Sequence, residues 1–270
     1  MDTKKPQHYS QNRSFQHSFG VEVLQQYMRW EEGDTVLDAG CGTGEICKYI
    51  SQQPGVASVV GFDLSPDFIS YASKHNSSPN VFYHVADASD VITIKPEWRG
   101  AFSKVVSIFV LNWIQDKPAT LSLLHSCLKP QGELLLVCPT EQGPFYQVNL
   151  GMASHPKWRV HLKDFVPTLL PWPSSDLTTN QSSSRLLEEC GFGDITCYIK
   201  KHQQPYDSKD KLRETVRSVL PHMRLIPQFK HEEFLDDVEK MAEKQPCPWI
   251  SVESVPSLTD DILIVHARKQ

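Results

Sequence analysis

The chain has 270 residues, of which 40% are hydrophobic and 22% charged, so a folded globular protein is expected rather than a disordered or fibrous one. Thirty-two acidic against 27 basic residues give a formal net charge of −5, and no lysine- or arginine-rich run is present, which argues against a nucleic-acid partner. No apolar run reaches the roughly 18 residues of a membrane span, and seven cysteines without CxxC spacing are typical of a reducing compartment, so a cytoplasmic protein is expected.

Strands and helices alternate along the first half of the chain. Five strands are predicted, over residues 35–39, 57–63, 81–86, 104–109 and 133–139. Three helices are predicted between them, over about 44–53, 66–75 and 118–128. The turn Lys129-Pro130-Gln131-Gly132 is expected to precede the fifth strand. Such alternation predicts a parallel sheet with helices on both faces, a Rossmann-like doubly wound α/β fold.

The pattern changes after residue 140. A stretch over 141–180 is rich in aromatic residues and proline, and it is followed by a predicted helix over 181–190 and a strand over 194–200. A second excursion over 205–250 contains two helical patterns before a last strand over 261–267. Seven strands are therefore predicted, in a single domain over 1–270 whose ligand-binding core is 33–140.

Both excursions follow strands whose carboxyl ends lie at the edge where open α/β sheets bind ligands, so 141–180 and 205–250 are predicted to be helical lids that cap a substrate. Inserted helices that only thicken the core would give the same pattern. An elongated apolar pocket is expected from the aromatic and aliphatic residues of the first stretch: Phe145, Tyr146, Trp158, Phe165, Leu169, Leu170 and Trp172.

The segment VLDAGCGTGE, residues 36–45, places a strand directly before Gly40, Gly42 and Gly44. A strand, a glycine turn and a helix start direct backbone N–H groups at a ligand, although a tight turn alone also needs such glycines. The spacing is not G-x-G-x-x-G, and Gly-Lys-Ser/Thr is absent, so dinucleotide and Walker sites are excluded. Asp38 would repel a pyrophosphate but suits the cationic methionine end of S-adenosylmethionine, which has no phosphate.

Two more acids follow strand ends. Asp63 lies 19 residues after Gly44 and is placed to accept the two ribose hydroxyls, and Asp87 is placed to accept from the adenine amino group. Each acid taken singly would also suit a helix cap or a solvated loop. The predicted cofactor-binding set is completed by their neighbours Leu64 and Ala88 and by Phe109, which ends the fourth strand.

Residues 33–140 resemble the class I S-adenosylmethionine-dependent methyltransferases through the glycine turn and the three strand-end acids in order. No Asn-Pro-Pro-Tyr motif follows the fourth strand, which argues against an exocyclic amine as acceptor. The phrases RSFQHSFGVEVL, FVLNWIQ, GPFYQ and SHPKWRVHLKDF resemble juvenile hormone acid methyltransferases, which esterify a farnesoic-type sesquiterpenoid acid, over nearly the whole chain. The resemblance implies that Gln16 and Trp113 hold the acceptor carboxylate.

This chemistry needs no strong base, because a carboxylate is already ionised at pH 7 and two N–H donors can orient it. The predicted partner is therefore a small apolar carboxylic acid, and no metal is predicted because no acid–histidine cluster resembles a metal site. The alternative is a methyltransferase acting on another oxygen or nitrogen acceptor, and a non-catalytic cofactor-binding protein is a third reading. A hydroxyl acceptor would use a histidine base, for which the candidates are His17, His84, His155 and His161.

Overall fold

The computed structural model describes residues 4–163, 165, 172, 179–244, 250–251 and 255–270. Leu169 and Leu170, predicted to line an apolar pocket, lie outside the described residues, as do parts of both predicted caps. The strands are β1 Asp34–Ala39, β2 Val56–Asp63, β3 Val81–Val85, β4 Phe102–Ile108, β5 Leu128–Pro139, β6 Phe192–Pro205, β7 Ile250–Ser251 and β8 Ser257–Lys269. The α-helices described are α1 Pro6–Gln11, α2 Ser14–Tyr27, α3 Glu45–Ser51, α4 Pro66–His75, α5 Lys117–Cys127, α6 Pro144–Ala153, α7 Arg159–Leu162, α8 Thr179–Glu189, α9 Lys209–Val219 and α10 His231–Glu243.

Seven strands form one mixed sheet in the order β3-β2-β1-β4-β5-β8-β6, and the two-residue β7 pairs with β8. The first five strands are parallel, whereas β8 runs antiparallel to both of its neighbours. The Rossmann-like seven-stranded prediction is confirmed. Because β1 to β4 are parallel, their carboxyl ends meet at one edge of the sheet, and the residues that follow them come together there.

The strand residues alternate between two apolar layers. Val36 and Leu135 belong to the cluster on one face, whereas their neighbours Leu37 and Leu136 belong to the cluster on the other. All four side chains are fully buried. Continuous apolar runs of this kind are expected of parallel strands that are covered on both faces, and helices supply the cover.

A buried ion cluster lies at the other end of the same strands. The Lys104 ammonium, on β4, is 3.6 Å from Asp34 of β1 and 3.1 Å from Glu133 of β5. Glu133 also pairs with Arg268 of β8 at 2.6 Å. These contacts cross four neighbouring strands and favour one register, which fixes the relative heights of the strand ends at the opposite edge.

Three strands differ from their predicted bounds by more than two residues at an end. β5 begins at Leu128 rather than at residue 133, because the Lys-Pro-Gln-Gly segment is a pairing irregularity within the strand, with Gln131 in the left-handed region at φ 64°. β6 and β8 extend well beyond 194–200 and 261–267. Residues Ser257–Asp260, which lie outside the predicted strand, are placed in buried strand by antiparallel pairing with β6.

Helices α1 and α2 precede the sheet. Helix α1 contacts α4 and α9, and α2 packs on α3, β5 and β8. Helix α1 and the start of α2 therefore lie near the glycine turn, which Ser10 and Arg13 reach through hydrogen bonds to Glu45 and Thr43. Within the described part of the chain, no helix is both long enough and apolar enough to cross a membrane.

Candidate active site

A cavity of about 650 Å³ lies at the carboxyl ends of the parallel strands. This volume is typical of a small-molecule site. Its walls include nearly all the residues predicted from sequence: Gln16, Asp38, Gly40, Gly42, Asp63, Leu64, Asp87, Ala88, Phe109 and Trp113. Gly44 does not line it. These residues come from five separate segments of the chain, and the parallel topology brings four of them, at the ends of β1 to β4, to one edge of the sheet.

The glycine turn has two positions that require glycine. Gly40 has φ 80°, and a Cβ there would overlap the side chain of Val110 after β4. Gly44 has φ 87°, and a Cβ there would overlap Tyr83 and Ala72. Gly40 thus lets the cavity wall approach β4, whereas Gly44 lies behind the wall and shapes the start of α3.

The Asp63 carboxylate connects two of these loops. Its Oδ2 accepts from the backbone N–H of Gly42 at 3.0 Å, and its Oδ1 accepts from the backbone N–H of Ser65 at 2.9 Å. Each carboxylate oxygen has two lone pairs, so both can still accept from ribose hydroxyls. Asp63 therefore joins the loops after β1 and β2 and keeps lone pairs for a ligand, whereas the N-cap of α4 is Ser65.

The wall after β3 is more open. Asp87 accepts from the Ser89 backbone N–H at 2.8 Å and from the Ser89 hydroxyl at 2.7 Å, both at Oδ1. Leu64, on the facing loop, is 66% exposed and Ala88 is buried. One apolar residue from each loop therefore lies beside a carboxylate acceptor. This combination suits a planar base with an amino group.

Asp38 is the most enclosed of the acids, at 2% exposure. Burial raises the pKa of its carboxyl to about 6, although a hydrogen bond donated by the Cys47 thiol at 3.1 Å and the charge of Arg13 act in the opposite direction. An ammonium group beside Asp38 would replace the lost hydration. The carboxyl therefore fits the amino group of the cofactor's methionine end.

Arg13 is a site residue that the sequence patterns did not single out. It lines the same cavity, is 7% exposed, pairs with Glu45 at 2.6 Å and donates to the Thr43 hydroxyl at 3.3 Å. Its Nε is buried and has no hydrogen-bond partner among the described residues. A guanidinium opposite Asp38 matches the carboxylate of the methionine end. The available signal was its position three residues before Gln16, on the same side of α2.

A second, smaller cavity of about 50 Å³ adjoins the first. Four residues line both: Tyr9, Gln16, Phe109 and Trp113. The other walls of the smaller cavity are Phe15, Asn112, Pro139, Phe145, Val219, Leu258 and Asp260. Gln16 and Trp113 therefore lie at the junction, where an acceptor would meet the cofactor.

The two junction residues have free polar atoms. The Gln16 Oε1 is buried without a hydrogen-bond partner, and the indole N–H of Trp113 donates to no residue in the described ranges. Buried polar atoms are normally paired in folded proteins, so the Gln16 oxygen lacks a donor, and the same amide turned over would present its N–H₂ group to the cavity instead. Both side chains are available to bind an acceptor.

Phe109 separates the two cavities in a strained conformation. It has φ 58°, in the left-handed region that non-glycine residues rarely adopt, and its ring centroid is 5.9 Å from that of Phe15. Such a conformation costs about 1–3 kcal/mol and is concentrated at functional sites. The hydrogen bond from its N–H to the Val137 carbonyl, at 2.8 Å, holds it there.

The cavity walls do not support a histidine as the catalytic base. Of the described histidines, none lines either cavity. His84 lies on β3 with its ring 5.4 Å from that of Trp98, and burial lowers the pKa of His84. His161 likewise lies beside Trp158 in the cap, with ring centroids 6.3 Å apart.

Arg13 gives the first testable prediction. Arg13→Gln should weaken S-adenosylmethionine binding by about 2 kcal/mol, the scale of a lost hydrogen bond to a charged group. Affinity for 5′-methylthioadenosine, which lacks the amino and carboxyl groups, should be unchanged in the same calorimetric titrations. An equal loss for both ligands would show that Arg13 acts through the fold rather than by contact.

Asp38 gives the second testable prediction. Because burial raises its pKa to about 6 without ligand and an ammonium would lower it, binding releases a proton in acidic solution. The affinity for S-adenosylmethionine should be level between that pKa and about pH 7.5, where the cofactor's amino group is still protonated, and fall by up to about tenfold per pH unit below the pKa of Asp38. The affinity for 5′-methylthioadenosine should not show this fall. A flat S-adenosylmethionine profile down to about pH 5 would exclude an ion pair at Asp38.

Comparison with known proteins agrees with this geometry. A family model described as "Methyltransferase domain" matches residues 17–196, two thirds of the chain. The juvenile hormone acid O-methyltransferase of Drosophila melanogaster is 27% identical over 236 residues, spanning 86% of this chain and 79% of that protein. The enzyme of the same name from Bombyx mori is 25% identical over 272 residues, spanning 97% and 96%.

Solved structures show the same fold. The YcgJ protein from Bacillus subtilis matches with a TM-score of 0.63 at 14% identity, over 94% of this chain and 98% of that one. Phosphoethanolamine N-methyltransferase 2 from Haemonchus contortus, in complex with S-adenosyl-L-methionine, matches with a TM-score of 0.56 at 17% identity, over 94% and 53%. The chain belongs to the methyltransferase domain family and is an S-adenosylmethionine-dependent methyltransferase.

Proposed function

We propose that this methyltransferase forms methyl esters of apolar carboxylic acids, of the sesquiterpenoid or fatty type such as farnesoic or juvenile hormone acid. The observation that carries the proposal is the position of Gln16 and Trp113 at the junction of the two cavities. Their side chains bring hydrogen-bond donors, an amide N–H₂ and an indole N–H, to the place where acceptor and methyl group would meet.

The reaction asks little of the protein. The cofactor supplies a methyl group bound to a positively charged sulfur. One carboxylate oxygen forms the new C–O bond while the C–S bond breaks and leaves its electron pair on sulfur, so no proton has to be removed. Gln16 and Trp113 would orient the carboxylate without neutralising it, and exclusion of water by the cavity walls would keep its oxygens unhydrated. None of the described histidines lines either wall, which is consistent with this chemistry.

The walls of the smaller cavity suit an apolar chain next to the acid group. Phe145 is contributed by α6, from the predicted cap 141–180, and Val219 by α9, from the predicted cap 205–250. Phe15 and Leu258 complete an apolar surface on the other sides. At about 50 Å³ the cavity holds the head of an acid, and we propose that the two caps close over the remainder of the chain.

The names of the relatives support the acid rather than another acceptor. Both insect proteins are named for juvenile hormone acid, and the match to the Bombyx mori protein spans almost the full length of both chains. The match therefore includes the acceptor-facing segments as well as the cofactor core. Identities of 25–27% support the class of acceptor and leave the particular acid to experiment.

One observation favours a second acceptor class. Asp260 lines the smaller cavity, and an ionised carboxylate there would bind an ammonium group or accept a proton from a hydroxyl. A small-molecule methyltransferase acting on a nitrogen or on another oxygen acceptor is therefore the alternative.

The two junction residues test the proposal. Gln16→Ala and Trp113→Phe should each keep S-adenosylmethionine affinity within about twofold but lower kcat/KM for an apolar acid at least tenfold, about 1.4 kcal/mol of lost orientation. Trp113→Phe is the sharper change because it keeps an aromatic ring and removes the N–H. Affinity is measured by calorimetry and turnover with labelled cofactor.

Matched controls are available in the same chain. Gln25→Ala changes an exposed glutamine on α2, and Trp30→Phe changes a tryptophan that packs on the apolar cluster away from both cavities. Both controls should methylate acids at the wild-type rate. Wild-type kcat/KM in Gln16→Ala and Trp113→Phe would contradict the proposed role of the junction.

A further inference from the structure

Asp260 is a buried carboxyl group in the acceptor cavity that the chemistry above does not use. It lies on β8, is 4% exposed and lines the smaller cavity together with Gln16, Asn112 and Trp113. No lysine, arginine or histidine in the described ranges forms an ion pair with it. A carboxyl group without a cation in an apolar cavity wall is costly if it is ionised.

The surroundings of Asp260 are nearly uncharged. Its Oδ1 accepts from the Phe145 backbone N–H at 3.4 Å, in the first turn of α6. Burial raises the pKa of the Asp260 carboxyl to about 8, although the backbone N–H groups of Phe145 and Asp261 favour the ionised form. The nearby charge of Asp261 raises it further. A protonated carboxyl can donate one hydrogen bond and still accept another, so the contact with α6 does not prevent protonation.

The titratable groups on the elements around Asp260 give it no counter-ion. Burial raises the pKa of the Cys138 thiol, on β5, to about 12 and also raises that of the Tyr9 phenol, on α1. His202, its cross-strand partner on β6, has a pKa lowered by burial. All three groups are therefore uncharged near pH 7.

The cavity shows signs of binding the polar end of a ligand. Asn112 is 4% exposed, and its Oδ1 has no hydrogen-bond partner, as is also the case for the Oε1 of Gln16. Both residues line the cavity that contains Asp260. Both unpaired atoms are acceptors, so in a cavity of about 50 Å³ they favour a protonated rather than an ionised Asp260 carboxyl, and the same amides turned over would present N–H₂ groups to a carboxylate.

Two negative charges cannot share so small and dry a space. When two carboxyl groups face each other in a protein cavity, one of them holds a proton. We propose that the carboxyl group of Asp260, in its protonated form, donates a hydrogen bond to the carboxylate of the acceptor and is a third residue that positions it, beside Gln16 and Trp113. This inference rests on the proposed function, since an anionic acceptor is what requires the proton.

The same residue would act in the opposite way with another acceptor. An amine or a hydroxyl would need Asp260 ionised, as an anchor for an ammonium group or as a base. An asparagine at this position imitates the protonated acid, because it offers an N–H donor and an oxygen acceptor without charge. Asp260→Asn therefore separates the two roles.

The experiment compares wild type, Asp260→Asn, Asp260→Leu and the control Asp261→Asn. Turnover of an apolar acid is measured between about pH 7 and 9.5, a range in which the acceptor stays ionised. The cofactor's own amino group titrates near pH 8, so the difference between the profiles, rather than the wild-type profile alone, is the readout. Cofactor-induced thermal shifts establish that each variant folds and binds S-adenosylmethionine.

Asp260→Asn should keep kcat/KM within about threefold of wild type near pH 7. Above about pH 8 wild type and Asp261→Asn should lose activity progressively faster than Asp260→Asn, approaching a further tenfold for each pH unit. Asp260→Leu, which removes the donor, should be at least tenfold below wild type near pH 7 and should not share the steeper fall of wild type above about pH 8. Parallel profiles for wild type and Asp260→Asn, or a hundredfold loss in Asp260→Asn at pH 7 with acids still methylated by wild type, would overturn the inference and leave the proposed function in place.

A different result would overturn both the inference about Asp260 and the proposed function. If wild type methylates amines or hydroxyls but no acid, and Asp260→Asn abolishes that activity, Asp260 is an anchor or a base and the acceptor is not a carboxylate. If Asp260→Asn is too unstable to assay, the difference between the wild-type and Asp260→Leu profiles is the readout, because leucine has no proton to lose, and parallel profiles would then overturn the inference.

Discussion

The close approach of the glycine turn to β4 is the constraint on which the site depends. Gly40 leaves no room for a side chain because Val110 occupies the space a Cβ would need. Val110 directly precedes the 3-10 turn Leu111–Trp113, so this contact joins the cofactor wall to the turn that carries Asn112 and Trp113. A shift of either segment would move the methyl donor and the acceptor-binding groups apart, which is costly for a displacement reaction.

A second contact fixes the start of α2, on the other side of the site, relative to the glycine turn. The ion pair between Arg13 and Glu45 joins the start of α2 to α3, which follows the glycine turn, and Gln16 lies one helical turn further on. The charged side chains differ between the two cavities. Asp38 and Arg13 offer one charge of each sign for a zwitterionic methionine end, whereas the acceptor cavity holds amides, an indole and Asp260 without a cation. On the proposed function, ions would match the cofactor end and hydrogen bonds the acceptor end.

Local patterns were sufficient for the parallel half of the fold and for the cofactor wall. Five apolar runs, the first of which leads into the glycine turn, predict where the parallel strands end. Parallel topology then brings the acids at those ends together. The patterns failed where long-range antiparallel pairing decides the structure. Asp260 belongs to a polar stretch that becomes a buried strand only through its pairing with β6. Arg13 is held in the site by its ion pair with Glu45, which lies 32 positions away along the chain. Neither effect leaves a local periodic signal.

The bond that holds the transferred methyl group tests the central claim most directly. Purified protein is incubated with methyl-labelled S-adenosylmethionine and an apolar acid, its alcohol and its amine of equal chain length, and each product is treated with mild alkali. The carboxylate account predicts label transfer to the acid alone and its release as methanol, because only an ester is hydrolysed under these conditions. Label that is transferred to the alcohol or the amine and survives alkali would contradict it.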